Sequence, residues 1–119
     1  MRDMDDLFAT LEKSKFRSRF QLKQREADYL RQKGMPVILD HARDFITKRL
    51  APANPPNDGR QTPMKNHPVF VAQHATAACC RNCLQKWHRI SKGRTLSQKE
   101  IDYIITILER WLKNHSSEQ

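Results

Sequence analysis

The sequence predicts an all-α domain of about five helices, with a long proline-rich loop at 51–66 lying over the central helix. Three observations carry that expectation. Apolar residues recur at spacings of three and four through several segments, the mark of a helix with one buried face. Helix starts and stops are written into the chain at Gly34, Pro36, Ser97 and Glu100. The apolar stretch 69–78 fits a strand or a helix locally, but nothing else in the chain supplies a partner strand.

In chain order, Leu7, Phe8 and Leu11 give a short first helix over 4–13. From Lys13 to Arg25 there are six Lys or Arg and no acid. Phe16 and Phe20 stand four apart, so both can share one helical face. Cations interleaved with aromatics can hold phosphates and stack on bases, or the rings can enter the core and leave the cations solvated. Leu22–Lys33 reads as a helix closed by Gly34. Pro36 suits the first turn of the next helix, whose stripe is Val37, Ile38, Ala42, Phe45, Ile46 and Leu50. His41 lies near that stripe as a core-edge histidine.

Residues 51–66 hold Pro52, Pro55, Pro56 and Pro63 with the turn Asn57-Asp58-Gly59, which excludes a helix there. A loop this long inside a compact domain is usually functional or disordered. Residues 69–89 read as one continuous helix ended by Ser91-Lys92-Gly93. The last helix opens on a capping box, Ser97 with Glu100, stapled by Leu96 and Ile101. Ile101, Ile104, Ile105, Leu108, Trp111 and Leu112 mark its buried face. LKQREADYL at 22–30 echoes LSQKEIDYI at 96–104, two helices starting in the same way.

At 119 residues the chain is expected to be a single domain, 1–119, with frayed ends at 1–6 and 115–119. It can bury a modest core without covalent staples. No run of about 18 apolar residues is present, so no membrane span is expected. The acidic, amphipathic N-terminus does not read as a signal peptide. Three cysteines within five positions are not the spread, even set of a secreted disulfide scaffold. A cytoplasmic protein with reduced thiols is expected.

The net charge is +9, and Gly59–Lys99 holds eight Lys or Arg and no acid. Arg60, Lys65, Arg81, Lys86, Arg89, Lys92 and Arg94 are the candidate anion-binding residues. On one helix Arg81, Gln85 and Arg89 would align, with Lys92 and Arg94 following in a tight turn. Such a surface binds phosphates with marked salt dependence, and an exposed Trp87 or His88 can stack on a base.

The chain centres on HPVFVAQHATAACCRNCLQKWH, residues 67–88. Three readings of it stand side by side. His74, Cys79, Cys80, Cys83 and His88 are ligand types that zinc prefers, and Cys80-x-x-Cys83 has a familiar spacing. In one unbroken helix, however, Cys80 and His88 lie about 12 Å apart along the axis. One zinc cannot bridge that, so the metal reading requires a helix break or a smaller ligand set. In the second reading the cysteines are small core hydrophobes, and Cys79, Cys83 and Trp87 form an apolar helix face. The third is chemistry at a thiol, with Asp58, His67, His74 and Cys80 as candidate catalytic groups around a pocket under the loop. Arg81 and Lys86 would then lower the thiol pKa values.

The stretches KSKFRSRF, KRLAPA, NDGRQTPM, the central 67–88 segment and the closing LSQKEIDYI helix resemble a family of small bacterial proteins, domain of unknown function 4186. The likeness runs from about Leu7 to Trp111. It implies a small bacterial cytoplasmic protein and brings no activity or catalytic residues with it. The favoured function is binding of an anionic partner, DNA or RNA, with no membrane. The alternative is a zinc-stabilised or small-molecule enzymatic domain centred on His67, His74, Cys79, Cys80 and Cys83.

Overall fold

A computed structural model describes residues 1–116, and every regular element in it is helical. The helices are α1 (Met4–Lys13), α2 (Lys15–Ser18), α3 (Gln24–Lys33), α4 (Met35–Phe45), α5 (Pro68–Ala75), α6 (Arg81–His88) and α7 (Gln98–His115). Seven helices replace the expected five or so. Two differences account for most of this: the basic run makes a separate short helix, and the segment 69–89 is broken in two. Among the described residues no helix is long and apolar enough to cross a membrane.

The caps behave as their residue types demand. Asp3 accepts a hydrogen bond from the Asp6 amide and starts α1 within the region 1–6 expected to fray. Gly34, at φ +86, both ends α3 and precedes α4. In α7 the Ser97 hydroxyl accepts from the Glu100 amide, and the Glu100 carboxylate accepts from the Ser97 amide. Glu26 repeats the second half of that device by accepting from the Lys23 amide, so the echo between the two segments is a shared way of opening a helix. At the far end, His115 stacks on Trp111 with ring centroids 4.1 Å apart. The remainder of the tail, 117–119, lies outside the described residues.

The core forms around α5. Its sequence PVFVAQHA is apolar on almost every side, and all eight residues are buried. A helix of that kind must be covered all round. It packs against α4 on one side and α7 on another, with α2 and α3 closing the remainder. α7 presents Ile101, Ile104, Ile105, Ile107, Leu108, Trp111 and Leu112 to this core. α4 runs on into a single π-helical stretch, Ile46–Leu50, with the Ala51 amide bonding back to the Ile46 carbonyl. That wider turn keeps both Ile46 and Leu50 fully buried.

The expected single helix over 69–89 stops at Ala75. Thr76 turns its hydroxyl back onto the Ala72 carbonyl at 2.7 Å. Ala77 then takes a left-handed conformation, φ +61, and Cys80 is extended. α6 restarts at Arg81 and ends on Arg89, which is also left-handed at φ +59. A side chain in that region costs about 1–2 kcal/mol that glycine avoids. Arg89 is exposed and makes no close ion pair among the described residues, acting only at longer range on Asp6. Arg89→Gly is therefore expected to raise stability by roughly 0.5–1 kcal/mol, read as a higher urea midpoint with an unchanged slope. A lower midpoint would show that the arginine side chain does more for the fold than relief of the backbone.

Candidate metal centre

The break between α5 and α6 brings the three cysteines together. Cys79 lies in the connection, Cys80 is the N-cap of α6, and Cys83 stands one turn into it. The Cys80 sulfur accepts from the Cys83 amide at 3.4 Å, as a cap residue should. Two residues of the proline-rich loop fix the junction from outside. Asp58 accepts from the Arg81 amide at 3.0 Å, capping α6 a second time. Thr62 donates its hydroxyl to the Cys79 carbonyl at 2.8 Å. The three Sγ atoms then lie within 4.8 Å of one another. Cys79 and Cys80 are buried and Cys83 is half-buried, all three unbridged.

A fourth residue completes the arrangement, and sequence reasoning passed over it. Arg17 of α2 is only 9% exposed. Its Nη1 donates to the His74 carbonyl at 2.7 Å and lies 3.8 Å from the Cys79 sulfur; its Nη2 lies 3.2 Å from the Cys83 sulfur. The guanidinium also rests against the rings of Phe16 and Trp87. Among the described residues no carboxylate pairs with it. In the sequence Arg17 is one of several alternating cations, and nothing local distinguishes it from its neighbours.

The thiol pKa values move opposite to the expected direction. Cys79 is raised by its hydrogen bond with Cys80, and Cys83 by its bond with Cys79. At Cys80 the bond from Cys79 works downward, but the bond with Cys83 and burial outweigh it. Three sulfurs this close cannot all ionise unless a cation joins them. The expected lowering by Arg81 and Lys86 is absent, because Arg81 points away into the protein and Arg17 occupies the place beside the thiols.

The histidines are committed elsewhere. His88 is fully buried; its Nε2 donates to the Thr76 carbonyl and its Nδ1 accepts from the Tyr103 hydroxyl, both at 2.8 Å. With both nitrogens used, His88 is not a metal ligand here and cannot stack on a base. His74 holds Nε2 between the Thr62 and Pro63 carbonyls, at 3.0 and 3.1 Å, so that nitrogen carries the proton. His67 caps α5 by accepting from the Val69 amide at Nδ1, which leaves Nε2 to donate to His41 Nδ1 at 3.1 Å. Asp58 is shared between Arg81 and Gln61. The candidate catalytic groups Asp58, His67, His74 and Cys80 thus each serve a separate local bond. Among the described residues the close ligand group consists of Cys79, Cys80 and Cys83 alone.

The expected anion-binding set divides. Arg81 is a correction: it is 1% exposed, and its two Nη atoms donate to the carbonyls of Leu50, Pro52, Ser91 and Arg94 at 2.7–3.3 Å. It joins the loop entrance, α6 and the 91–94 turn, so the expected row Arg81, Gln85, Arg89 does not form on the surface. Arg94 is paired with Glu100 at 2.9 Å, and Lys92 bonds Asn82. Arg60, Lys65, Lys86 and Arg89 remain exposed, without ion-pair partners among the described residues.

Arg81→Lys keeps the charge and removes the planar fork. It is expected to destabilise the domain by about 3 kcal/mol, since buried carbonyls lose charged donors; chemical denaturation reads this, and a neutral result would mean that the residue is replaceable as a charge. A second expectation concerns pH. Burial pushes both His88 and His67 down to about 4, with His41 adding to the effect at His67. The unfolded chain binds these protons near 6.5, so stability is present above that pH and is lost as pH falls toward 4. For fully buried His88 the loss approaches roughly 3 kcal/mol. Urea midpoints at pH 7, 5.5 and 4.5 should fall in order, whereas a flat series would contradict a neutral, buried His88.

No solved structure matches this chain. A model of a protein family, domain of unknown function (DUF4186), matches residues 5–113, which include all the helices up to the last turn of α7 and every residue of the thiol cluster. The chain belongs to the DUF4186 family.

Proposed function

We propose that the protein binds one thiophilic divalent cation, zinc by preference, through Cys79, Cys80 and Cys83. The observation that carries this reading is the mutual approach of the three sulfurs within 4.8 Å. Tetrahedral zinc with Zn–S bonds of about 2.3 Å places sulfurs about 3.8 Å apart. The three thiols therefore need only a small contraction to enclose an ion.

Charge supports the same reading. Three thiolates around a dication leave one net negative charge. Arg17, buried and without a carboxylate, supplies the opposite charge at 3.2 Å from Cys83. A buried arginine with no anionic partner is costly, and a metal–thiolate group provides that partner. Thiolates select soft ions such as zinc or copper(I) over magnesium or calcium. No fourth side chain joins the ligand group among the described residues. Three protein ligands leave the fourth position of zinc to water or a small molecule, the pattern of an open site.

Elemental mass spectrometry of untagged protein purified under reducing conditions is expected to find about one zinc per chain. Cobalt(II) added to metal-free protein should give thiolate charge-transfer absorption, which is lost in Cys83→Ser. Arg17→Met should lower zinc affinity by about 10–100-fold, the usual effect of removing an outer-shell partner. No bound metal, together with no cobalt–thiolate band on the wild-type protein, would refute the reading. The spectrum comes from the unmutated chain, so a variant that fails to fold cannot obscure the result.

A further inference from the structure

We infer that α2 and its flanks form a binding platform for single-stranded nucleic acid, with Phe16 as the base-stacking ring. This stands apart from the metal reading, since it rests on Phe16 and the outward cations rather than on the sulfurs, and shares with it only the Arg17 guanidinium. From Lys13 to Arg25 there are six Lys or Arg and no acid. The ion pairs among the described residues all lie elsewhere: at Arg2, Arg31, Arg43, Lys48, Arg94, Arg110 and Lys113. Lys13, Lys15, Arg19 and Lys23 are exposed cations without a carboxylate partner. Their charge is available to an outside anion.

Phe16 sets the kind of anion. It is 44% exposed, the only exposed large aromatic among the described residues. The ring is held in place: it meets Phe20 edge-on at 5.2 Å, and the guanidinium groups of Arg17 and Arg19 lie 4.9 and 4.6 Å from its centroid. Phe20 in turn stacks on buried His74 at 5.8 Å. A short helix thus displays a braced aromatic ring amid unpaired cations. Heparin, which has neither bases nor an apolar layer, makes no use of such a ring, and one ring on a four-residue helix is a small apolar face for a bilayer. Unstacked bases do use the ring, and their phosphates are met by the flanking cations. The bases of a duplex are already stacked, so a single strand is the fitting occupant. α6 borders the platform through Trp87, against which Arg17 packs, and it adds exposed Lys86 one residue away.

The test is fluorescence anisotropy of a labelled mixed-sequence strand of about 12 nucleotides, a length within the range one small domain covers. The full chain is titrated as purified, at two or more salt concentrations. Binding is expected with a log–log salt slope of about −3, as for four or five phosphates neutralised on a single strand. Lys15→Glu with Arg19→Glu should weaken binding at least tenfold and flatten the slope. Phe16→Ala should weaken it about tenfold with the slope kept, because it removes a stack and not a charge. Arg43→Gln, on the ion-paired side, should change nothing. Three outcomes would overturn the inference: no binding at low salt, equal affinity for heparin with Phe16→Ala silent, or tighter binding to vesicles rich in phosphatidylserine. Circular dichroism of the charge-reversed protein separates a lost surface from a lost fold.

Discussion

The burial of Arg81 is the constraint on which the functional half of the molecule depends. One guanidinium answers carbonyls from the loop entrance at 50–52 and from the turn at 91–94. Those carbonyls belong to irregular backbone, where no regular hydrogen-bond ladder can satisfy them. Arg81 gathers them and so fixes where α6 begins. The start of α6 in turn decides that Cys80 is a cap, that Cys83 lies one turn in, and that Cys79 is left beside both. The geometry of the thiol cluster follows from an arginine whose guanidinium is committed to backbone carbonyls and not to the sulfurs.

Two buried arginines therefore solve the same electrostatic problem in different ways. Arg81 is surrounded by carbonyl dipoles, which stabilise a cation without neutralising it. Arg17 has one carbonyl and two sulfurs. Protonated thiols are weak acceptors, so as bare thiols they offer Arg17 little. As thiolates on a metal, the state proposed above, they would complete its charge. The asymmetry between the two sites separates a structural arginine from one poised beside chemistry, and neither distinction shows in the composition of the chain.

Legibility from sequence followed the range of the interactions. Features set by neighbours within one turn could be read directly: the Ser97–Glu100 capping box, the glycine between α3 and α4, Pro36 and the buried stripe of α7. The loop at 51–66 was legible as irregular because proline forbids a helix there. The break at 76–80 was not. Ala77 is an ordinary helix former, and no proline or glycine marks the turn; its conformation is imposed by the Thr62 and Asp58 anchors from a loop distant in sequence. The same range argument explains the misreading of Arg81 as a surface cation and the neglect of Arg17. An arginine's burial is settled by which carbonyls or sulfurs the fold brings to it, and the local pattern is silent on that. The cysteines were legible as ligand types, but their convergence required the break that the hydrophobic periodicity concealed.

The histidines show why sulfur alone defines the candidate centre. Each imidazole has one donor and one acceptor when neutral, and in His88 and His67 the fold uses both. His88 donates to Thr76 and accepts from Tyr103. His67 accepts from the start of α5 and donates to His41. A metal at Nε2 of His67 would need that nitrogen to surrender its proton while Nδ1 already accepts, which demands an imidazolate. His74 keeps its Nε2 proton between two loop carbonyls. The nitrogens thus act as connectors that hold α5, α6 and the loop in register, and their neutrality at ordinary pH is a condition of the fold. The close ligand group among the described residues is all sulfur, so an ion held there would meet a sulfur-dominated shell. On the proposed metal reading, selectivity for a soft cation would follow from how the core is hydrogen-bonded, and not from the number of metal-binding residue types in the chain.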